Sequence, residues 1–191
     1  MIKFKKIPKP KEDEFPSYSK IYIDLLKDDD SILDHLSDNF YKLKKFIYSL
    51  PIDTLSSRYA DGKWTIKEVL VHLIDDERIF SYRALRYARN DNSPLHGFDQ
   101  NNYAKYSGAN ERSLESIFDE YEAVRRSTIL LFQCLPDEAF TRRGRIIEED
   151  GNIGKERTVR ALAYHIAGHE LWHIKFIKER YLNKPVEGKI I

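Results

Sequence analysis

Ala163-Tyr164-His165-Ile166-Ala167-Gly168-His169-Glu170-Leu171-Trp172-His173 gathers half of the six histidines of this 191-residue chain at intervals of four. On a helix, residues four apart share a face with Cβ atoms about 5 to 6 Å apart, so two neighbouring imidazoles converge on one ion. Three do not. With a rise of about 1.5 Å per residue, His165 and His173 stand roughly 12 Å apart along the axis, whereas zinc to nitrogen bonds measure about 2.0 to 2.1 Å. The run therefore offers His165 with His169, or His169 with His173, and a further ligand must come from elsewhere.

Working outward, the helix that carries this run begins near Glu156 or Thr158 and is expected to reach Leu182. Three other segments show the same three and four residue periodicity. Ser31 opens one that runs to Leu50 through Ile32, Leu33, Leu36, Phe40, Leu43, Phe46 and Ile47, and Pro51 stops it. Thr65 and Glu68 form a capping-box pattern ahead of Val69, Leu70, Leu73, Ile74, Ile79, Phe80 and Leu85, which predicts a helix to Ala88. Glu111 to Cys134 carries Leu114, Ile117, Phe118, Tyr121, Val124, Ile129, Leu130 and Phe132 on one stripe, and Pro136 bounds it. Four long helices with long connections predict an all-α protein, a four-helix bundle in a single domain over residues 1–191.

The joining segments read differently. Residues 1–16 hold three prolines and many charges, so an extended N-terminal arm outside the core is expected. The stretch 90–110 is rich in Asn, Gly, Ser, Asp and Pro and reads as a long ordered loop, with Phe98, Asp99 and Tyr103 as candidate specificity residues. The charged, glycine-punctuated stretch 140–153 suits a connection with a short hairpin.

Composition narrows the function classes. The 32 basic and 31 acidic residues nearly cancel, which gives no bulk electrostatic reason to expect nucleic acid or an anionic membrane as partner. No carboxylate-rich two-metal nuclease motif is visible either. No apolar run approaches the roughly 20 residues of a membrane span, and the N-terminus lacks the apolar core of a signal peptide. The one cysteine, Cys134, cannot form an internal disulfide and reads as a small core residue; a reducing, cytoplasmic setting is expected. Aromatic residues at 13% and apolar faces on long helices make a homodimer the expected assembly.

Among the remaining histidines, His72 stands between Leu70, Val71, Leu73 and Ile74 on or beside a buried face, and it is the candidate third ligand. His35 reads as a surface residue beside Asp34 and His96 as a plain loop residue. Asp75 follows His72 by three positions and is a candidate to reach the metal shell or orient a ligand ring, against the plainer reading of a pair with Arg78 or Arg83. His169-Glu170-Leu171-Trp172-His173 also fits the His-Glu-x-x-His pattern, which makes Glu170 a candidate general base. A protease would need another ligand downstream, and the candidate there, Glu187, follows Pro185 in an expected tail.

The segment from Tyr59 through Trp64, Thr65 and Glu68 to His72 and Asp75, taken with Ile166 to Ile174, resembles the DinB superfamily of four-helix-bundle metalloenzymes, also called DinB/YfiT-like. The resemblance implies a divalent metal, nickel or zinc, on His72, His169 and His173 with open positions for water or substrate, and leaves His165 as a neighbour. It further implies a thiol transferase, isomerase or hydrolase acting on a small molecule, with a low-molecular-weight thiol such as bacillithiol or mycothiol as co-substrate. The competing reading is a non-catalytic bundle, stabilised by metal, that serves as an interaction or dimerisation module.

Overall fold

The computed structural model describes residues 3–91, 93–148 and 151–182. Seven helices occur among them: α1 (Lys20–Ile23), α2 (Ile32–Tyr48), α3 (Ile52–Leu55), α4 (Ile66–Ala88), α5 (Gln100–Tyr106), α6 (Leu114–Cys134) and α7 (Val159–Ile177). The long ones, α2, α4, α6 and α7, form the bundle. Helix α4 packs against α6 and α7, and α2 closes the square against the same two neighbours.

Local chemistry explains where these helices start. Thr65 and Glu68 make the full capping box at the head of α4: the Glu68 N–H donates to Thr65 Oγ1 at 3.1 Å and the Thr65 N–H to Glu68 Oε2 at 2.7 Å. Ser113 caps α6 through the Ser116 N–H, so this helix starts three residues after the expected Glu111. Thr158 caps α7 through the Ala161 N–H, and a wider helical turn continues the chain over Lys178–Leu182. Ser31 precedes α2 without a side-chain cap; its hydroxyl donates instead to the Asp29 carbonyl.

Three expectations are corrected, two of them for the connections. The N-terminal arm is extended but belongs to the core: Ile7 is fully buried, Phe15 nearly so, and the Tyr164 hydroxyl donates to the Ile7 carbonyl at 2.8 Å. Its apolar side chains outweigh the charges between them because Ile7 and Phe15 cover the apolar surface of α2 and α7. The stretch 90–110 is not plain loop but carries α5, whose first turn is capped by Asp99 accepting from the Asn101 and Asn102 N–H groups. Finally, Cys134 is exposed at the end of α6, and Leu130 on the same helix is also exposed.

Short strands tie the two long connections together. β1 (Leu95–His96) pairs in parallel with β3 (Ile146–Ile147), and β2 (Arg143–Gly144) pairs antiparallel with β4 (Arg157–Thr158). The stretch 140–153 thus folds back as expected, and it also seizes a strand from the 90–110 connection.

The core divides into two apolar clusters, one at each end of the bundle. One takes Phe80–Ala88 of α4 and Val159–Ala167 of α7; the other takes Ile66–Ile74 of α4 and Ile177 of α7. Between them lies a buried polar layer comprising Asp76 and Glu77 from α4, Arg125 from α6, and His169, Glu170 and His173 from α7. Burial of a large apolar side chain contributes about 1.5 to 3 kcal/mol, and the two clusters hold the layer rigid from both sides.

Candidate metal centre

Two pairs of side chains at i and i+4 face each other across the α4–α7 contact: His72 with Asp76, and His169 with His173. His72 Nε2 lies 3.4 Å from His169 Nε2, and His173 Nε2 lies 3.0 Å from the same atom. Two nitrogens each about 2.1 Å from one ion, and seen from it at about 90 to 110°, stand about 3.0 to 3.4 Å apart. His169 thus stands at ligand-like separations from both of the other rings, and the three imidazoles form a group that could hold one divalent cation, their ligand atoms all within 4.8 Å of one another.

Electrostatics agree with that fit. Burial, reinforced by the charge of His169, pushes the His72 imidazole down to about 4, and burial holds His173 well below its ordinary value. Both rings are thus neutral near pH 7, the form in which imidazole binds metals. Asp76 Oδ2 lies 3.3 Å from His169 Nδ1. Burial alone would raise this carboxyl, yet the surrounding imidazoles hold it well below the carboxylate range. Asp76 Oδ2 has no hydrogen-bond donor among the described residues, so the 3.3 Å contact is electrostatic; it favours a proton on His169 Nδ1 and leaves Nε2 as the nitrogen turned to the other two rings.

Aromatic rings wall the site. Trp64 packs on His72 at 4.8 Å between centroids, Trp172 on His173 at 4.9 Å, and Tyr22 of α1 on His169 at 5.1 Å. Tyr22 is held there by Gly168, where a Cβ would stand 2.2 Å from the Tyr22 carbonyl oxygen. Two cavities open on the centre. One of about 470 Å³ is lined by Tyr18, Asp76, Arg83, Phe98, His165 and His169, and one of about 280 Å³ by Trp64, Trp172, His173, Phe176 and Tyr181. His169, Tyr22 and Gln100 border both.

The structure brings His72, His169 and His173 together and places the two candidate carboxylates elsewhere. Glu170 is fully buried on the opposite side of α7, where its Oε2 accepts from Arg125 Nη2 at 2.8 Å, and Arg125 also forks onto Glu77. With Oε2 tied to Arg125 on α6, the Glu170 carboxylate is turned away from the three imidazoles, and the expectation of it as a general base is corrected on that ground. Asp75 points toward Arg78, 3.9 Å away, and Glu120, at the half-buried α4–α6 edge, which is the plainer of its two readings.

Asp76, the carboxylate that does meet the centre, was missed. The signal was its i+4 spacing from His72, which matches the α7 pair, whereas Asp75 at i+3 rotates off that face. His165 lies against the Phe80 ring at 4.1 Å with Nε2 4.0 Å from Asp76, and so borders the centre from the larger cavity. His35 bonds to Asp29 near the surface and His96 is exposed in β1. Of the other sequence candidates, Phe98 lines the larger cavity, Asp99 caps α5, and Glu187 lies outside the described residues.

The chain resembles known proteins in sequence and fold. A protein of Oceanobacillus iheyensis, named as a candidate metal-dependent hydrolase, is 30% identical over 135 residues, 70% of this chain and 76% of its own length. The structure of YfiT from Bacillus subtilis, described as a probable metal-dependent hydrolase with an unusual four-helix bundle topology, shares the fold at a TM-score of 0.70, covering 91% of both chains at 18% identity. The DinB superfamily model matches residues 35–177, a span that takes in most of α2, all of α4, α6 and α7 and all three converging imidazoles, and the chain belongs to that superfamily.

Proposed function

We propose that this protein is a metal-dependent enzyme acting on a small molecule, with His72, His169 and His173 as ligands of a divalent nickel or zinc ion and with water or a low-molecular-weight thiol as the nucleophile. The observation that carries the reading is the meeting of His72 Nε2 and His173 Nε2 with His169 Nε2 at the separations of neighbouring ligands, beside two cavities that share His169. Three neutral imidazoles suit either metal and leave its charge uncompensated. When bound, such an ion supplies the positive charge that lowers the pKa of a coordinated water or thiol.

The protein's own groups do the rest. Asp76 favours a proton on His169 Nδ1, and Trp64, Trp172 and Tyr22 hold the rings and keep bulk water from their apolar sides. A cavity of about 470 Å³ is of the size that takes a small-molecule substrate. The names of the relatives favour hydrolysis, and the family resemblance also admits thiol transfer. Glu170 has no part in either reaction because its carboxylate is bound to Arg125.

The test is metal content and turnover on protein purified without an affinity tag. About one equivalent of metal is expected in the wild type and none in His169→Ala. A panel of ester, amide and electrophilic reporters, each run with and without added thiol, then separates the two chemistries. Thiol-independent turnover identifies a hydrolase and thiol-dependent turnover a transferase. Wild-type protein that binds no stoichiometric metal overturns the reading, and a bundle that unfolds on chelation with no turnover of any reporter supports the structural alternative.

A further inference from the structure

The larger cavity holds positive charge that the metal centre does not use. Arg83, on α4 seven residues beyond Asp76, lines it and is 3% exposed. Its Nη2 donates to the His96 carbonyl at 3.2 Å, and its guanidinium lies 5.0 Å from the Phe80 ring centre. Among the described residues no carboxylate stands within ion-pair distance of it. A guanidinium so placed normally has an anionic partner, since burying a charge without one is costly.

A second guanidinium stands close behind. Arg157 of β4, 2% exposed, donates through Nη2 to the Tyr18 hydroxyl at 2.8 Å and lies over the Tyr18 ring. Its Nη1 donates to the Lys155 carbonyl, its Nη2 is 3.8 Å from Glu148 Oε1, and its buried Nε has no partner among the described residues. The two arginines are close enough for the charge of Arg157 to add to burial in lowering the Arg83 pKa. Tyr18 also lines the cavity, and because its oxygen already accepts from Arg157, its own proton is free to be donated. Asp76 and Glu148 are the acidic residues in this wall, and Arg83 is its guanidinium, with Arg157 behind it.

We propose that this cavity binds the anionic end of the substrate, a carboxylate or phosphate, with its oxygens on the guanidinium of Arg83 and the hydroxyl of Tyr18, and with the remainder of the molecule directed toward His169. The inference rests on the metal-centre reading for what lies at the other end of the ligand, but not for the anion site itself. It deepens that reading by naming the substrate class as a small oxyanion-bearing molecule. Arg157 is a positioning residue, since it acts through Tyr18.

The test titrates the full-length protein, metal content quantified in each sample, with inorganic phosphate and with malonate, followed by calorimetry. Saturable binding of at least one is expected, and the arm that binds more tightly identifies the oxyanion. A charge-assisted hydrogen bond lost in Arg83→Gln is expected to weaken binding about tenfold or more, while Arg126→Gln, an exposed change on α6, leaves it unaltered. If circular dichroism shows Arg83→Gln unfolded, Arg83→Lys and Tyr18→Phe take its place, each expected to weaken binding severalfold. No saturable binding of either anion overturns the proposal. So does a folded variant at Arg83 that binds as the wild type does, because the anion then sits on the metal alone. Failure of the metal-centre reading shows separately, as absence of stoichiometric metal in the same samples.

Discussion

Asp76 Oδ2 and His169 Nδ1 stand 3.3 Å apart in the buried layer between the two apolar clusters, so a carboxylate on α4 faces one nitrogen of an α7 imidazole whose other nitrogen is turned toward His72 and His173. Removing a partner that orients a metal-bound histidine typically costs 10 to 100-fold in affinity. Asp76→Ala is therefore expected to weaken metal binding by about one to two orders of magnitude, measured by competition with a chelating dye. Asp75→Ala, one residue away on the α6 side, is expected to leave affinity unchanged.

The ligand set makes a second, sharper contrast. His72→Ala and His173→Ala are each expected to lose stoichiometric metal in elemental analysis, whereas His165→Ala is expected to keep it. A His165 variant devoid of metal would shift the centre to the Asp76, His165 and His169 group, whose ligand atoms also lie within 4.8 Å of one another.

The metal-stripped protein is expected to lose stability as pH falls from about 6.5. His72 and His165 stay neutral in the fold down to about 4 and about 3 because burial disfavours their charged forms, and His173 is depressed in the same direction. In the unfolded chain they take up protons near their ordinary pKa of about 6.5. Below that pH the unfolded state binds more protons, so unfolding becomes more favourable, by up to about 1.4 kcal/mol per pH unit for each such group. Urea midpoints from pH 7.5 to 5 would read this, and His72→Phe is expected to flatten the slope.

The Glu77, Arg125 and Glu170 network is expected to matter for stability and not for metal. Burial, opposed by Arg125, raises the Glu170 carboxyl to about 6, so without the guanidinium two buried acids would face each other. Arg125→Met is expected to cost about 3 to 5 kcal/mol, read by denaturant unfolding. Glu170→Gln is expected to keep a full equivalent of metal, and loss of the ion in that variant would return Glu170 to the site.

Gly168 is where α7 meets the backbone of α1 most closely. A methyl group there would press 2.2 Å from the Tyr22 carbonyl oxygen, so Gly168→Ala is expected to destabilise the protein, by about 1 to 3 kcal/mol as for other overpacked sites. Because Tyr22 packs on His169, the same variant is expected to lower metal affinity as well, measured alongside the melting temperature.

Four helices, the capping box of α4 and the pairing of histidines along α7 can be read from the chain because each depends on residues a few positions apart. Thr65 with Glu68 and His169 with His173 are local patterns, and a local pattern carries its own geometry. The choice between His165 and His173 as partner of His169 was open on spacing alone, since both are four residues away; only the position of His72 across the bundle distinguishes them. The i+3 spacing of Asp75 from His72 and the His-Glu-x-x-His pattern of Glu170 are local signals, and neither fixes which way the side chain turns once the helices pack. A rotation of about 100° per residue turns sequence neighbours onto different faces of the helix.

By itself, the sequence determined the periodic apolar stripes, the capping box that opens α4 and the residue types able to hold a cation, since these depend on side-chain chemistry and on spacing within a single helix. Tertiary structure alone decided which carboxylate meets His169, that the N-terminal arm and Ile7 belong to the core, and that Arg83 and Tyr18 line one cavity with Arg157 behind them. Those relationships join residues tens of positions apart, and they exist only once packing of the apolar faces has fixed the rotation of each helix about its axis.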